Sequence, residues 1–269
     1  MVQIQIVSDL HLEFRELNFT NLIIPSAPVL CLLGDICACG TIPDFEIFKK
    51  FMEYISKKFI HVIHVPGNHE YYTMGNKNVT NKDTISGIDK KIKIFLKKFN
   101  NVYFLNNNTI SLLLNDKKYI FIGSTLWSNV LKSDRRTVQK LMNDYSYIYV
   151  SDKKSPSGMR PYTIEDMSKI HNFSVNYIKK IISNIKDDEI CILLTHHKPV
   201  RDKPISDKLS QAYETDLSGV IIKHPIKLAA HGHTHVKYDK IVNNVRIVSN
   251  PKGYISQKTL YNNKGVYDI

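Results

Sequence analysis

Residues 2–7 (Val-Gln-Ile-Gln-Ile-Val) alternate apolar and polar side chains at the period of a half-buried strand, which stops at Ser8-Asp9-Leu10-His11. Residues 29–33 (Val-Leu-Cys-Leu-Leu) are apolar without a break, as in a strand buried on both faces, and end at Gly34-Asp35. Phe45, Phe48, Met52 and Ile55 recur at helical spacing over 43–57. A β-branched strand over 59–65 leads into Pro66-Gly67-Asn68-His69-Glu70, where Pro66 ends the ladder and Gly67 permits a sharp turn. Ile85, Ile88, Ile92, Phe95 and Phe99 mark a second amphipathic helix, with Lys90, Lys91, Lys93, Lys97 and Lys98 mostly on a solvated face. The order β–β–α–β–α predicts parallel strands joined by crossovers.

After residue 100 the apolar runs shorten. Those at 102–105, 110–114 and 119–123 read as strands, with Asn115-Asp116 as a hairpin turn. Residues 128–162 hold no sustained period; a stretch this long predicts a short helix and a segment that covers a site. Thr163 with Asp166 three residues on opens a helix to about Ile185. A buried strand at 190–194 ends at Thr195-His196-His197. A short helix near 216–223 precedes a strand at 226–230 that ends at His231-Gly232-His233-Thr234-His235. Two strands flank Asn243-Asn244, and residues 259–267 are read as one more.

Composition narrows the class. Hydrophobic content of 43% and charged content of 23% are those of a globular protein, and 269 residues without a Pro/Gly/Ser-rich divide predict one domain, 1–269. No apolar run approaches the roughly 18 residues that span a bilayer, and the N-terminus reads as a strand, so a soluble, cytoplasmic protein with no membrane partner is expected. Cys31, Cys37, Cys39 and Cys191 form no C-x-x-C pair and read as reduced. A net charge of +12 favours anionic partners, but the lysines are scattered and do not by themselves establish nucleic-acid binding.

The chemistry lies at the strand ends. Five apolar strands each end in residues able to ligate a hard or borderline metal: Asp9 and His11; Asp35; Asn68 with His69; His196; His233 and His235. Carboxylate, imidazole and amide without thiolate suit manganese, iron, zinc or nickel. In Asp9-Leu10-His11 and His233-Thr234-His235 a spacing of two in an extended segment would put both side chains on one side. Core histidines would sit mid-strand, as His61 does; it and His231 read as packing or hydrogen-bonding residues. His197 reads as structural, Lys198 as solvated surface, Glu70 as an orienter of ligands, and Tyr71, Tyr72 and Trp127 as packing aromatics.

The succession D-x-H, GD, GNHE, T-H-H and GHTH resembles the calcineurin-like metallophosphoesterase superfamily. So do the flanks Ser8–Phe14, Ser124–Trp127, Thr195–Pro199 and Asn250–Tyr254, over nearly the whole length. The resemblance implies an α/β fold in four layers, two mixed β-sheets packed as a sandwich and flanked by helices. It implies two divalent metal ions, manganese foremost with iron or zinc as alternatives. Asp9, His11, Asp35 and His235 would hold the first, and Asp35, Asn68, His196 and His233 the second, with Asp35 bridging. It further implies a phosphoesterase that acts through in-line attack of a metal-bridging hydroxide, with His69 protonating the leaving oxygen or stabilising charge. The expected substrate is a small-molecule or nucleotide phosphoester. A nuclease on the same site is the alternative, suggested by the basic charge and the Arg/Tyr-rich 128–162 stretch. A non-catalytic scaffold, like the retromer subunit of this fold, is disfavoured because every ligand and His69 are retained.

Overall fold

In the computed structural model, which describes residues 2–15, 18–201, 208–221 and 226–269, the first two apolar runs are neighbouring strands, β1 (Gln3–Val7) and β2 (Val29–Leu33). They pair in parallel, and β3 (His61–Val65) and β4 (Val102–Phe104) continue the sheet in the same direction. The crossovers are α1 (Ile42–Ser56) and α2 (Ile85–Leu96). All of β2 is apolar because its alternate side chains enter different cores. Val29, Cys31 and Leu33 face the space between the two large sheets, and Leu30 and Leu32 face the helices.

The shorter second-half runs form a second sheet. β5 (Asn108–Leu114) and β6 (Lys117–Ser124) are antiparallel about Asn115 and Asp116, whose φ of 48° and 60° give the two left-handed residues such a turn requires. The 128–162 stretch holds more than the one short helix expected: α3 (Arg135–Leu141), α4 (Asp144–Tyr147) and a small hairpin of β7 (Tyr149–Ser151) and β8 (Met159–Pro161). Each piece is at most 7 residues long, too short to impose a period on the sequence. Helix α5 (Ile164–Ile182) begins as its capping pair predicts: the Asp166 N–H donates to the Thr163 hydroxyl at 3.3 Å and the Thr163 N–H to the Asp166 carboxylate at 3.0 Å.

The remaining elements are β9 (Glu189–Thr195), α6 (Ser210–Tyr213), α7 (Ser218–Ile221), β10 (Ile226–His231), β11 (Tyr238–Val242), β12 (Val245–Ser249) and β13 (Val266–Asp268). The predicted helix at 216–223 is α7, and its residues 222 and 223 lie outside the described residues. The last strand is confined to β13. One sheet runs β13-β1-β2-β3-β4, with β13 antiparallel; the other runs β11-β12-β10-β9-β6-β5, with both edge strands antiparallel. Ile4, Ile6, Cys31, Leu33, Ile63 and Val65 of the first sheet meet Phe121, Ile192, Leu194, Leu228 and Val248 of the second. Further apolar layers lie outside each sheet, beneath α1 and α2 on one side and α5 and α7 on the other. These are the four expected layers. All four cysteines are free and buried. Among the described residues, no helix is long and apolar enough to cross a membrane.

Candidate metal centre

The C-terminal ends of β1, β2, β3, β9 and β10 meet at one edge of the sandwich, bound together by backbone. The Asp9 N–H donates to Gly34 O at 2.9 Å, His11 N–H to Asp35 O at 2.9 Å, and Gly232 N–H to His196 O at 3.0 Å. The ligand segments are not extended, contrary to the spacing argument. Asp9, His11, Asp35, His233 and His235 all have left-handed φ, between 48° and 67°. For non-glycine residues that costs roughly 1–2 kcal/mol each. It is the left-handed turns that bring Asp9 and His11, and His233 and His235, to one place. Gly67 is required for closeness: a Cβ there would collide with Asp35 Oδ1 and with the His196 ring.

All seven expected ligands come together in two groups that share Asp35. Ligand atoms of Asp9, His11, Asp35 and His235 lie within 4.8 Å of one another, as do those of Asp35, His196 and His233. His196 Nε2 is 3.4 Å from Asp35 Oδ1, 3.0 Å from Asn68 Oδ1 and 3.2 Å from His233 Nδ1. On the other side His11 Nε2 is 3.1 Å from His235 Nε2, and His235 Nε2 is 3.3 Å from Asp9 Oδ1.

The surrounding hydrogen bonds decide whether a cation fits. His196 Nδ1 donates to the Leu33 carbonyl at 2.8 Å, His11 Nδ1 to Glu13 at 3.3 Å and His235 Nδ1 to Gln257 Oε1 at 2.6 Å. In each ring the Nδ1 proton is thus held outward, and Nε2 is the atom turned to the cluster. The Asn68 amide nitrogen donates to Asp144 at 2.8 Å, which turns its oxygen inward. Nitrogen and oxygen atoms able to ligate converge from every side, and the Nε2 atoms of His11 and His235 face each other. Such a donor set fits divalent cations and leaves them two carboxylates of charge, Asp9 and Asp35.

Two carboxylates outside the ligand set brace it. Glu70 accepts the backbone N–H groups of Asp35 (2.9 Å), Ile36 (2.9 Å) and Gly67 (2.7 Å), tying the second strand end to the third, as an orienting role requires. Glu70→Ala would leave three buried donors unpaired, at about 1–3 kcal/mol each, and should lower unfolding stability by about 3 kcal/mol or more in urea titrations. Glu13 accepts from both His11 and His69, the latter at 2.9 Å. Burial opposes its ionised form, but hydrogen bonds from the two imidazoles bring its carboxyl down to about 2. Asp144 holds Asn68 and the Tyr72 hydroxyl. Sequence reasoning gave Glu13 no role, although its place two residues after His11 was a usable signal; Asp144, in the aperiodic stretch, offered none.

His69 stands beside the cluster. Its ring stacks on Tyr72 with centroids 4.1 Å apart, and Nε2 is hydrogen-bonded to the Tyr254 hydroxyl at 3.1 Å. Burial works against its charge, yet Asp35 and the Glu13 hydrogen bond raise it to about 9. His197 is fully buried between Trp127 and His233, with Nδ1 on the Thr125 carbonyl, so it packs and does not reach the cavity. Tyr71 and Trp127 are buried and stacked. Lys198 is not the solvated residue expected: it is 8% exposed, 3.5 Å from Glu214 and over the Tyr238 ring. Lys91 likewise leaves its helix's solvated face, donating to the Cys39 carbonyl and lying over the Phe45 ring.

The family model for calcineurin-like phosphoesterases matches residues 2–237. The chain belongs to that family. As a member it is a metal-dependent phosphoester hydrolase. A relative of matching length is an uncharacterised protein of Acanthamoeba polyphaga mimivirus, 32% identical over 98% of this chain and 95% of its own. Among solved structures, phosphopantetheinyl hydrolase from Mycobacterium tuberculosis shares the fold with a TM-score of 0.72 at 16% identity, over 94% of this chain and 89% of that one. The family uses divalent metals, in keeping with the converging ligand-capable side chains.

The histidines also predict how the metal-free protein responds to pH. Burial opposes the charge on His196, but Asp35 raises it to about 9, as it does His69. A raised group stabilises the fold fully below its unfolded value of 6.5 and loses that contribution as pH rises through about 9. His64, His197 and His231 are pushed by burial to about 3, 3 and 4, so below 6.5 protons favour the unfolded chain. Chelator-treated protein should therefore melt at its highest temperature near pH 6.5 and lower on both sides. If a cation takes the place of the proton on His196, metal-loaded protein should lose the His196 part of the alkaline fall and keep the part that His69 contributes.

Proposed function

We propose that the chain, acting as a single domain, is a dinuclear phosphoesterase that hydrolyses a small or nucleotide-like phosphoester. Asp9, His11, Asp35 and His235 would hold one divalent ion, and Asp35, Asn68, His196 and His233 the other. The observation that carries this reading is the position of Asp35 between two groups of converging ligand atoms: Oδ1 lies 3.4 Å from His196 and Oδ2 3.9 Å from His11. Oxygen and nitrogen donors without thiolate make manganese our first choice of metal. Two bound ions would supply Lewis acidity toward the phosphoryl group and lower the pKa of a water between them.

The remaining work falls to the chain. Glu13 fixes the His69 ring and keeps Nδ1 protonated, which leaves Nε2 facing the cavity. There Nε2 can give its proton to the departing oxygen as the P–O bond breaks. Asp9 is oriented by the His233 N–H, which reaches both of its oxygens at 3.0 and 3.1 Å. Nuclease activity is the second reading, favoured by a groove of about 720 Å³ lined by Lys132, Arg135, Arg136 and Lys140 beside the site segment. A panel of phosphomonoesters, bis-p-nitrophenyl phosphate, cyclic nucleotides and single- and double-stranded nucleic acids, with manganese added, tests both. Turnover of small esters supports the first reading, cleavage confined to polynucleotides supports the second, and no turnover at all contradicts both.

A further inference from the structure

The chain carries 37 lysines and arginines, yet none of the described residues lining the cavity over the ligand cluster is one of them. That cavity measures about 320 Å³, at the small end of the roughly 300–1,000 Å³ usual for small-molecule sites. Beyond the ligands, its lining includes Tyr72, Tyr213, Tyr254, Leu141 and Met142. The cationic side chains of α3 face a separate groove, while the C-terminal end of that helix contributes aliphatic Leu141 to the cavity.

Tyr254 holds a particular place in this lining. Its ring centroid is 4.4 Å from that of His11 and 4.8 Å from that of His235, so it caps one half of the cluster. Its hydroxyl is 3.1 Å from His69 Nε2, the ring nitrogen that Glu13 leaves available. The hydroxyl thus stands where an oxygen in contact with His69 would stand, and the Tyr254 ring borders the space beyond it. Phe14, 41% exposed with its ring 6.1 Å from Tyr254, continues the aromatic surface outward.

We propose that Tyr254 and the Leu141–Met142 segment form the subsite for the leaving alcohol, and that the enzyme takes a compact phosphoester whose alcohol is uncharged and carries a flat or apolar group. This deepens the phosphoesterase reading above and rests on it. A ring or short aliphatic group packs against tyrosine and leucine surface, whereas a carboxylate or second phosphate would lose water there and, among the described residues beyond His69 and the candidate metal-ligand histidines, gain no cationic partner. Tyr254 and Leu141 then act as specificity-determining residues: the first reads shape, and the second leaves charge unanswered.

The test uses the full chain loaded with manganese. Phenyl phosphate should exceed 4-carboxyphenyl phosphate in kcat/KM by at least about 10-fold, the scale on which pockets discriminate by an unmatched group. The non-hydrolysable phenylphosphonate and its 4-carboxy counterpart should show the same order in calorimetric Kd. Leu141→Arg supplies the missing cation at a position 58% exposed and should remove most of that preference, whereas Leu141→Gln should keep it. Tyr254→Ala should lower kcat/KM for phenyl phosphate by about 10-fold more than for glycerol phosphate, which has no ring to stack. Equal treatment of the neutral and carboxylated pairs, or equal losses on both esters in Tyr254→Ala, would overturn the subsite. Absence of turnover of every ester, with the metal bound, would overturn the phosphoesterase reading and the subsite with it.

Discussion

Asp35→Asn should abolish metal binding at both positions together and cut turnover by about 10³-fold or more, beyond the loss from removing one electrostatic contact. The reasoning is one of charge. The two ligand groups share only two carboxylates, Asp9 and Asp35, and Asp35 alone belongs to both. Burial raises the cost of its charge, but His196 and its neighbours hold the carboxyl well below the usual range, so the anion is the stable form here. Asparagine fits the same space and still has an oxygen to accept the His69 N–H, which Oδ1 now does at 2.8 Å. The Glu70 contacts to the backbone of residues 35 and 36 are untouched, so circular dichroism should be that of the wild type. Elemental analysis and turnover on one substrate check the result; both metals retained with full activity would end the shared role of Asp35.

His69→Ala comes second and separates proton donation from charge stabilisation. General acids are usually worth about 10²–10⁴-fold, and the benefit scales with how poorly the leaving group departs unaided. An alkyl or nucleoside ester should lose turnover on that scale, and a p-nitrophenyl ester clearly less. Metal content should not change, because His69 belongs to neither proposed ligand group: its backbone N–H bond to Asp35 survives in alanine, and its ring meets the cluster at the edge of His11 and at their common partner Glu13. Glu13→Gln should share part of the same substrate dependence, since Glu13 holds the imidazole from behind. Equal losses on both esters would reassign His69 to charge stabilisation, and loss of metal would make it a ligand.

Much of this was readable in the chain because burial and chemistry changed at the same points. The uninterrupted apolarity of Val29–Leu33 and of residues 190–194 marks strands covered on both sides, and the candidate ligands Asp35 and His196 follow each within two residues. What spacing missed was local backbone: five of the expected ligands are left-handed, which no side-chain period reports. It also missed the supports. Asp144 reaches Asn68 across 76 positions from a four-residue helix, and Gln257 reaches His235 from a loop with no regular element. Lys198 was misplaced because composition treats lysine as surface, whereas Glu214, 16 positions on, draws its ammonium inward. Contacts of that kind depend on tertiary approach, which sequence neighbours do not encode.

Metal stoichiometry of the wild-type chain reaches the central claim without knowledge of the substrate. Protein loaded with manganese, freed of excess ion and analysed for metal against protein concentration should hold two ions per chain. Titration should show binding at both positions lost in Asp35→Asn. A well-folded wild-type sample that retains less than one ion per chain would contradict the dinuclear centre on which the rest of the account depends.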